Sequence, residues 1–399
     1  MKMSHRRFLN LVLRRNNGPY SVSQLETSNL FYESAAAARK SDETKQASRS
    51  MEEEVPELRS PPAPTSMKLQ PFRSNDHSII KGAPLFGPFG ETKILCADDL
   101  GHTGVYDATS HALRVMPRMN APKGPMHVVL PVRRTAAHAA GEAAAARGSY
   151  SDSDTADVFE AVFPRFDGDH TESVYVMDLA PRCPFSFEVL SFIPGAWVWR
   201  PLPPPPFVHD HLPEPRQFLR DLEHKATWVS SVAVNGGKIF VSPSTAQEDE
   251  VDGTYCFDTV TQEWGRAGDW VMPFVGKAEL VTEHGVWLGF SRCHPHRLCA
   301  ISSLCPPNKV KQQWWTDRGP PDGWSLMDLN LVNLGSGRFC TAKFFDARVP
   351  GNHGDTTDDV AVFTGVEVLC SSDRAGRLGI QMVKHKSIRV TNLDIKCVL

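Results

Sequence analysis

The chain has 399 residues, long enough for one large all-β domain or for two or three ordinary ones. Its 41% hydrophobic and 22% charged residues allow a sizeable core, and a net charge of −3 leaves no global basic excess to attract nucleic acid. No run approaches the ~18 apolar residues of a membrane-spanning helix, and nine scattered cysteines, several inside apolar runs, read as reduced thiols of a cytoplasmic or nuclear protein.

Residues 1–25 contain no acid and carry Lys2, Arg6, Arg7, Arg14 and Arg15 around the apolar stretch 8–13. Interrupted by Asn10, that stretch is shorter than the ~7–15 residues of a secretory signal core. A strand flanked by charges is expected there, with organelle targeting as the minor alternative. Residues 20–22 and 30–32 read as the next two strands. Residues 34–66, rich in Ala, Ser, Glu and Pro, are expected to be a disordered insertion. The order strand, turn, Gly-x-Tyr strand, turn, strand returns at 94–97, 104–108 and 113–116. Residues 134–157, with four successive alanines and a polar run, read as a flexible loop.

A third copy spans 174–178, 187–192 and 197–199. Residues 201–226 then open with Pro203-Pro204-Pro205-Pro206 and read as a Pro-rich insertion whose residues 215–222 form a short helix. The clearest copy follows: Asn235-Gly236-Gly237-Lys238-Ile239-Phe240-Val241, then Tyr255-Cys256-Phe257-Asp258-Thr259, then Trp264. Weaker copies lie at 286–290, 298–301 and 313–315, and at 339–344, 359–363 and 366–369. A paired glycine before an apolar strand, then a tyrosine strand, then a tryptophan is the pattern of a Kelch-type β-propeller blade. With the three insertions set aside, about 53 residues remain per copy, against the ~50 of that repeat. The expected fold is therefore a single all-β domain over residues 1–399, a Kelch-type propeller of about six four-stranded blades. Residues 387–390 are expected to share a blade with the N-terminal strand.

Several groups carry side chains capable of chemistry. Cys293-His294-Pro295-His296-Arg297-Leu298-Cys299 holds zinc-ligand side chains, but in a spacing that fits a hairpin turn better, with Cys299 directed into a core. His209-Asp210-His211 follows the proline run. The pairs Asp98-Asp99 and Asp358-Asp359 read as turn residues, since neighbours on a strand point to opposite faces. Arg133-Arg134, Lys309, Lys311 and Lys384-His385-Lys386 read as solvated basic spots. The nine tryptophans all fall between Trp197 and Trp324 and read as packing. No catalytic, cofactor-binding or metal-binding residue and no cofactor is assigned.

The phrases Arg6-Arg7-Phe8-Leu9-Asn10-Leu11-Val12, 20–22 through 30–32, Tyr255-Cys256-Phe257-Asp258-Thr259 to Trp264, and Met382-Val383-Lys384-His385-Lys386 together resemble a plant family of Kelch-related proteins. That family is abundant in grasses and defined only as a domain of unknown function. The resemblance implies the propeller and a plant origin and brings no active site with it. The expected role is a non-enzymatic protein–protein interaction module with a protein partner. The alternative is an enzyme, a hydrolase or oxidase, with its site in the central channel.

Overall fold

Short runs of branched and aromatic residues, broken by turns at Asp, Gly and Pro, give strand after strand, because such side chains suit a pleated, half-buried surface. The computed structural model describes residues 6–14, 19–47, 65–69, 82–90, 92–138, 171–179, 186–193, 196–209, 228–244, 253–304, 312–313, 321, 323–349, 356–372, 378–391 and 393–399. The chain divides into two compact units. One is Met1–Gln70 with Pro273–Leu399, the other Pro71–Met272.

The first unit opens with β1 (Phe8–Arg14) and β2 (Tyr20–Glu26), paired antiparallel from Phe8 opposite Glu26 to Arg14 opposite Tyr20. The third strand expected at 30–32 is not there. Thr27–Leu30 is a 3-10 turn, tied down by the Thr27 hydroxyl donating to the Arg6 carbonyl at 2.8 Å. The segment read as disordered begins instead with a helix, α1 (Ala35–Ala47). Ser34 caps it, its Oγ accepting the Ala37 N–H at 3.1 Å, and the four alanines that follow are the strongest helix formers. The missing strand is β3 (Thr65–Leu69), which pairs with β2.

The second unit contains three antiparallel meanders. The first is β4 (Leu85–Phe89), β5 (Lys93–Ala97), β6 (Thr103–Asp107) and β7 (Ala112–Met116). The second is β8 (His127–Arg133), β9 (Glu172–Asp178), β10 (Phe187–Ile193) and β11 (Ala196–Pro201). The third is β12 (Trp228–Asn235), β13 (Lys238–Ser244), β14 (Thr254–Asp258) and β15 (Glu263–Gly268). Leu95, Val105 and Met116 of the first pack on Val174, Leu190 and Trp199 of the second. Tyr175 and Phe187 of the second pack on Ile239 and Phe257 of the third. Thus β9 is buried on both faces, and its Val-Tyr-Val-Met run is apolar throughout instead of alternating.

Two of these meanders repeat each other atom for atom at their hairpins. Asp107 Oδ1 accepts the N–H groups of Thr109 and Ser110 at 2.8 and 3.2 Å. Asp258 Oδ1 does the same for Val260 and Thr261 at 2.9 and 3.2 Å. His111 and Gln262 follow at φ 57° and 60°. Thr103 and Thr254, each the first residue of its strand, donate to the carbonyls of Pro117 and Trp270, both at 2.5 Å.

The proline run is packed structure. Pro204, Pro205 and Phe207 are buried, Phe207 within a helical turn at Pro206–His209, and the Pro203 carbonyl accepts the Trp264 indole N–H at 2.8 Å. The helix expected at 215–222 lies outside the described residues.

The first unit resumes with β16 (Phe274–Val281), β17 (Val286–Ser291), β18 (Leu298–Ile301) and β19 (Gln312–Gln313). The meander β20 (Trp324–Gly335), β21 (Arg338–Val349), β22 (Thr356–Ser372) and β23 (Leu378–Thr391) comes next, and β24 (Asp394–Val398) ends the chain. The strands expected at 359–363 and 366–369 are one strand, β22, irregular between Thr364 and Val366. The N- and C-terminal strands do share a sheet, but through β24. Leu11 lies opposite Val398, whereas 387–390 sits inside β23, with Ile388 opposite Phe363. Among the described residues, no helix is long and apolar enough to cross a membrane.

Candidate functional site

The hairpin capped by Asp107 ends in β7, the outermost strand of its sheet. Leu113 and Val115 stand two residues apart, hence on one face, and are 47% and 85% exposed, while Met116 on the other face is buried. Across the ladder Val115 meets Gly104, which offers no side chain to cover it. An outer strand carrying uncovered apolar side chains is a template for another strand or an apolar partner surface.

The sequence singled out Cys293, His294, His296 and Cys299, and the structure places them on the β17–β18 hairpin. Cys293 and His294 are exposed, and His296 donates from Nδ1 to the Ser291 carbonyl at 2.9 Å. Cys299 is buried, and burial, with Cys293 nearby, pushes its thiol up to about 12. Among the described residues, no group of three or more His, Cys, Asp or Glu side chains is placed to hold a metal ion. Of His209-Asp210-His211, only His209 is among the described residues. Asp98 is a turn residue as expected, its Oδ1 accepting the N–H groups of Leu100 and His102 at 3.0 and 2.8 Å. Trp197, Trp199 and Trp287 are buried in the cores.

Three polar clusters are not legible from local sequence. In the second unit, Lys123 and Glu188 form a fully buried ion pair. The Glu188 carboxylate also accepts from Asn120 N–H at 2.9 Å, Asn120 Nδ2 at 2.7 Å and Ala121 N–H at 3.1 Å, while Lys123 donates to the Ala121 carbonyl at 2.8 Å. One carboxylate thereby fixes the whole turn before β8. In the same unit, Thr259 Oγ1 donates to the Gly237 carbonyl at 2.5 Å. His138 Nδ1 accepts the Thr135 N–H, so its Nε2–H donates to Thr259 Oγ1 at 2.8 Å. This pins the Gly236-Gly237 turn, where Gly236 takes φ +60°, to the strand phrase that ends in Thr259.

The third cluster lies in the first unit. The Tyr32 N–H donates to His385 Nδ1 at 3.2 Å, and His385 Nε2 lies 3.1 Å from Glu367 Oε2. With Nδ1 accepting, the proton of the neutral ring sits on Nε2 and is donated to Glu367. Arg338 Nε binds the other Glu367 oxygen at 3.3 Å. His385 is thus not part of a solvated basic spot: its ring is buried, 4.9 Å from that of Phe31.

No curated protein matches the chain. Among solved structures, the dihydro-heme d1 dehydrogenase NirN in complex with DHE matches at 10% identity and a TM-score of 0.32, over 97% of this chain and 75% of that one. The α-L-arabinofuranosidase PaAbf62A from Podospora anserina, in complex with cellotriose, matches at 11% identity and a TM-score of 0.31, over 82% of this chain and 95% of that one. The WD40 domain of SCAP from fission yeast matches at 7% identity and a TM-score of 0.26, over 76% and 65%. None superposes closely enough to carry an argument about this chain. Residues 6–390 match the family described as protein of unknown function, DUF1668.

Proposed function

Because this chain belongs to the DUF1668 family, whose function is unknown, we propose that it is a non-enzymatic interaction module whose sheets are the blades of a Kelch-type propeller, about six in number. The carrying observation is β7, an outer strand with Leu113 and Val115 turned to solvent. The four-stranded meanders supply a rigid scaffold, on which such edges and the loops between strands are the surfaces free to vary. A protein partner lays apolar side chains against Leu113 and Val115, in the cytoplasm or nucleus of a plant cell.

The test is quantitative capture from plant tissue with wild-type chain and with a Leu113→Asp, Val115→Asp double variant. A protein recovered near stoichiometry by the wild type, and reduced at least tenfold with a variant of unchanged thermal stability, is the expected result. Equal recovery by both baits would remove β7 as the binding surface. No recovery by either would count against the interaction role itself.

A further inference from the structure

Between Thr27 and α1 the chain lies against β22 and β23 of the same unit, and the ring of His385 is the one ionisable base buried in that seam among the described residues. We propose that His385 is a proton-operated latch: neutral, it holds the segment 28–47 on the sheet, and protonated, it lets the segment go.

A neutral imidazole has one acceptor nitrogen, and here that atom, Nδ1, takes the backbone N–H of Tyr32. Protonation turns Nδ1 into a second donor facing a donor that cannot rotate away, so the hydrogen bond is lost and a part-buried N–H is left without its acceptor. The segment makes further contacts with the sheet. Arg39 of α1 donates to Gln381 Oε1 at 2.7 Å, and Lys386 Nζ lies 5.0 Å from the centroid of the Tyr32 ring. A Cβ at Gly365 would collide with the Leu30 carbonyl, so the bare backbone of β22 is what lets the segment approach.

The charges around the ring act in both directions. Glu367 of β22 favours the imidazolium, but Arg338 of β21 already binds that carboxylate, and Lys386 of β23 adds further positive charge. On the docked segment, Tyr32 and Arg39 are ionisable side chains that meet the sheet. Burial outweighs Glu367 and holds His385 below its ordinary value of 6.5. The docked state therefore binds fewer protons than the released one. Docking is complete above about pH 6.5 and weakens as pH falls through that value toward the docked-state value.

Hydrogen exchange of the full chain, followed by mass spectrometry at pH 7.5 and 5.5 and corrected for intrinsic rates, tests this. Protection of peptides within 28–47 is expected to fall severalfold, by at most about tenfold per pH unit for one proton, while peptides from β20 and β21 stay unchanged. In His385→Asn the side-chain oxygen can still accept the Tyr32 N–H but does not titrate, so the pH dependence should vanish. Equal protection at both pH values in the wild type overturns the latch, as does an unchanged pH dependence in the variant. If His385→Asn does not fold, the wild-type imidazole titration followed by NMR decides: a midpoint at or above 6.5 overturns the latch, and one below supports it.

Discussion

Lys123 and Glu188 show what a buried charge requires of its surroundings. Each is fully buried, and the carboxylate is met by two backbone N–H groups, one amide and the ammonium, so no lone pair faces apolar atoms unsatisfied. Removing one partner of such a pair leaves the other desolvated. Lys123→Met is expected to lower unfolding stability by about 3 kcal/mol, the lower end for a broken buried pair, because Glu188 keeps three donors. Glu188→Leu strands those three donors and the ammonium together and should cost more. Urea denaturation measures both, and a Lys123→Met variant within about 0.5 kcal/mol of wild type would mean the pair contributes little. The cysteines give a second residue-scale prediction. Burial pushes the thiols of Cys299 and Cys340 up to about 12, whereas Cys293 and Cys370 are exposed. Since the thiolate is the nucleophile, iodoacetamide at pH 8 should label Cys293 and Cys370 in the folded protein and Cys299 and Cys340 only after unfolding. Peptide mapping that finds Cys340 labelled at the rate of Cys370 would contradict the packing of β21.

At the scale of elements, the hairpin grammar is legible because it is local. Asp107 and Asp258 each cap a turn two and three residues ahead, so the phrases Tyr106-Asp107 and Phe257-Asp258 announce the turns that follow. Among the strands that escape a sequence reading, β16 and β20 have burial patterns without clean alternation and so no contrast to read. Helix α1 had a visible signal, Ser34 before four alanines, obscured by the Pro- and Glu-rich composition of the residues beyond it. The terminal strand carries a prediction of its own. β24 supplies the outer partner of β1 and buries Val398 and Leu399. Ending the chain after Leu393 removes both side chains from the core and is expected to destabilise the first unit by about 3 kcal/mol or more, at ~1.5–3 kcal/mol for each buried aliphatic side chain. Thermal unfolding checks it, and an unchanged midpoint would show that the β1–β24 pairing is dispensable.

At the scale of the molecule, the same four-strand meander recurs because a single twisted sheet cannot cover both its faces. Phe187 and Tyr175 from one sheet, interleaved with Phe257 and Trp264 from the next, show how a neighbour covers it, with the rings of Phe187 and Phe257 5.0 Å apart and steeply inclined. Such packing covers most apolar side chains among the described residues, and Leu113 and Val115 on β7 are among the few large ones left exposed, side by side on one face. Substituting Leu113 and Val115 should therefore affect a partner and leave the unfolding midpoint alone, the opposite signature to Lys123→Met or to loss of β24.

The sequence by itself determined the all-β character, the meander repeat and the membership of Cys299, Trp197, Trp199 and Trp287 in packed cores, all properties set by neighbours within a few positions. Only the tertiary structure decided which strand meets β1, that Glu188 receives Lys123, and that His385 receives the backbone of Tyr32. Those partners lie 65 and 353 residues apart for the last two. A hydrogen-bond acceptor buried against a distant donor leaves no local trace in either segment, because its energy arises only once folding has removed water from both.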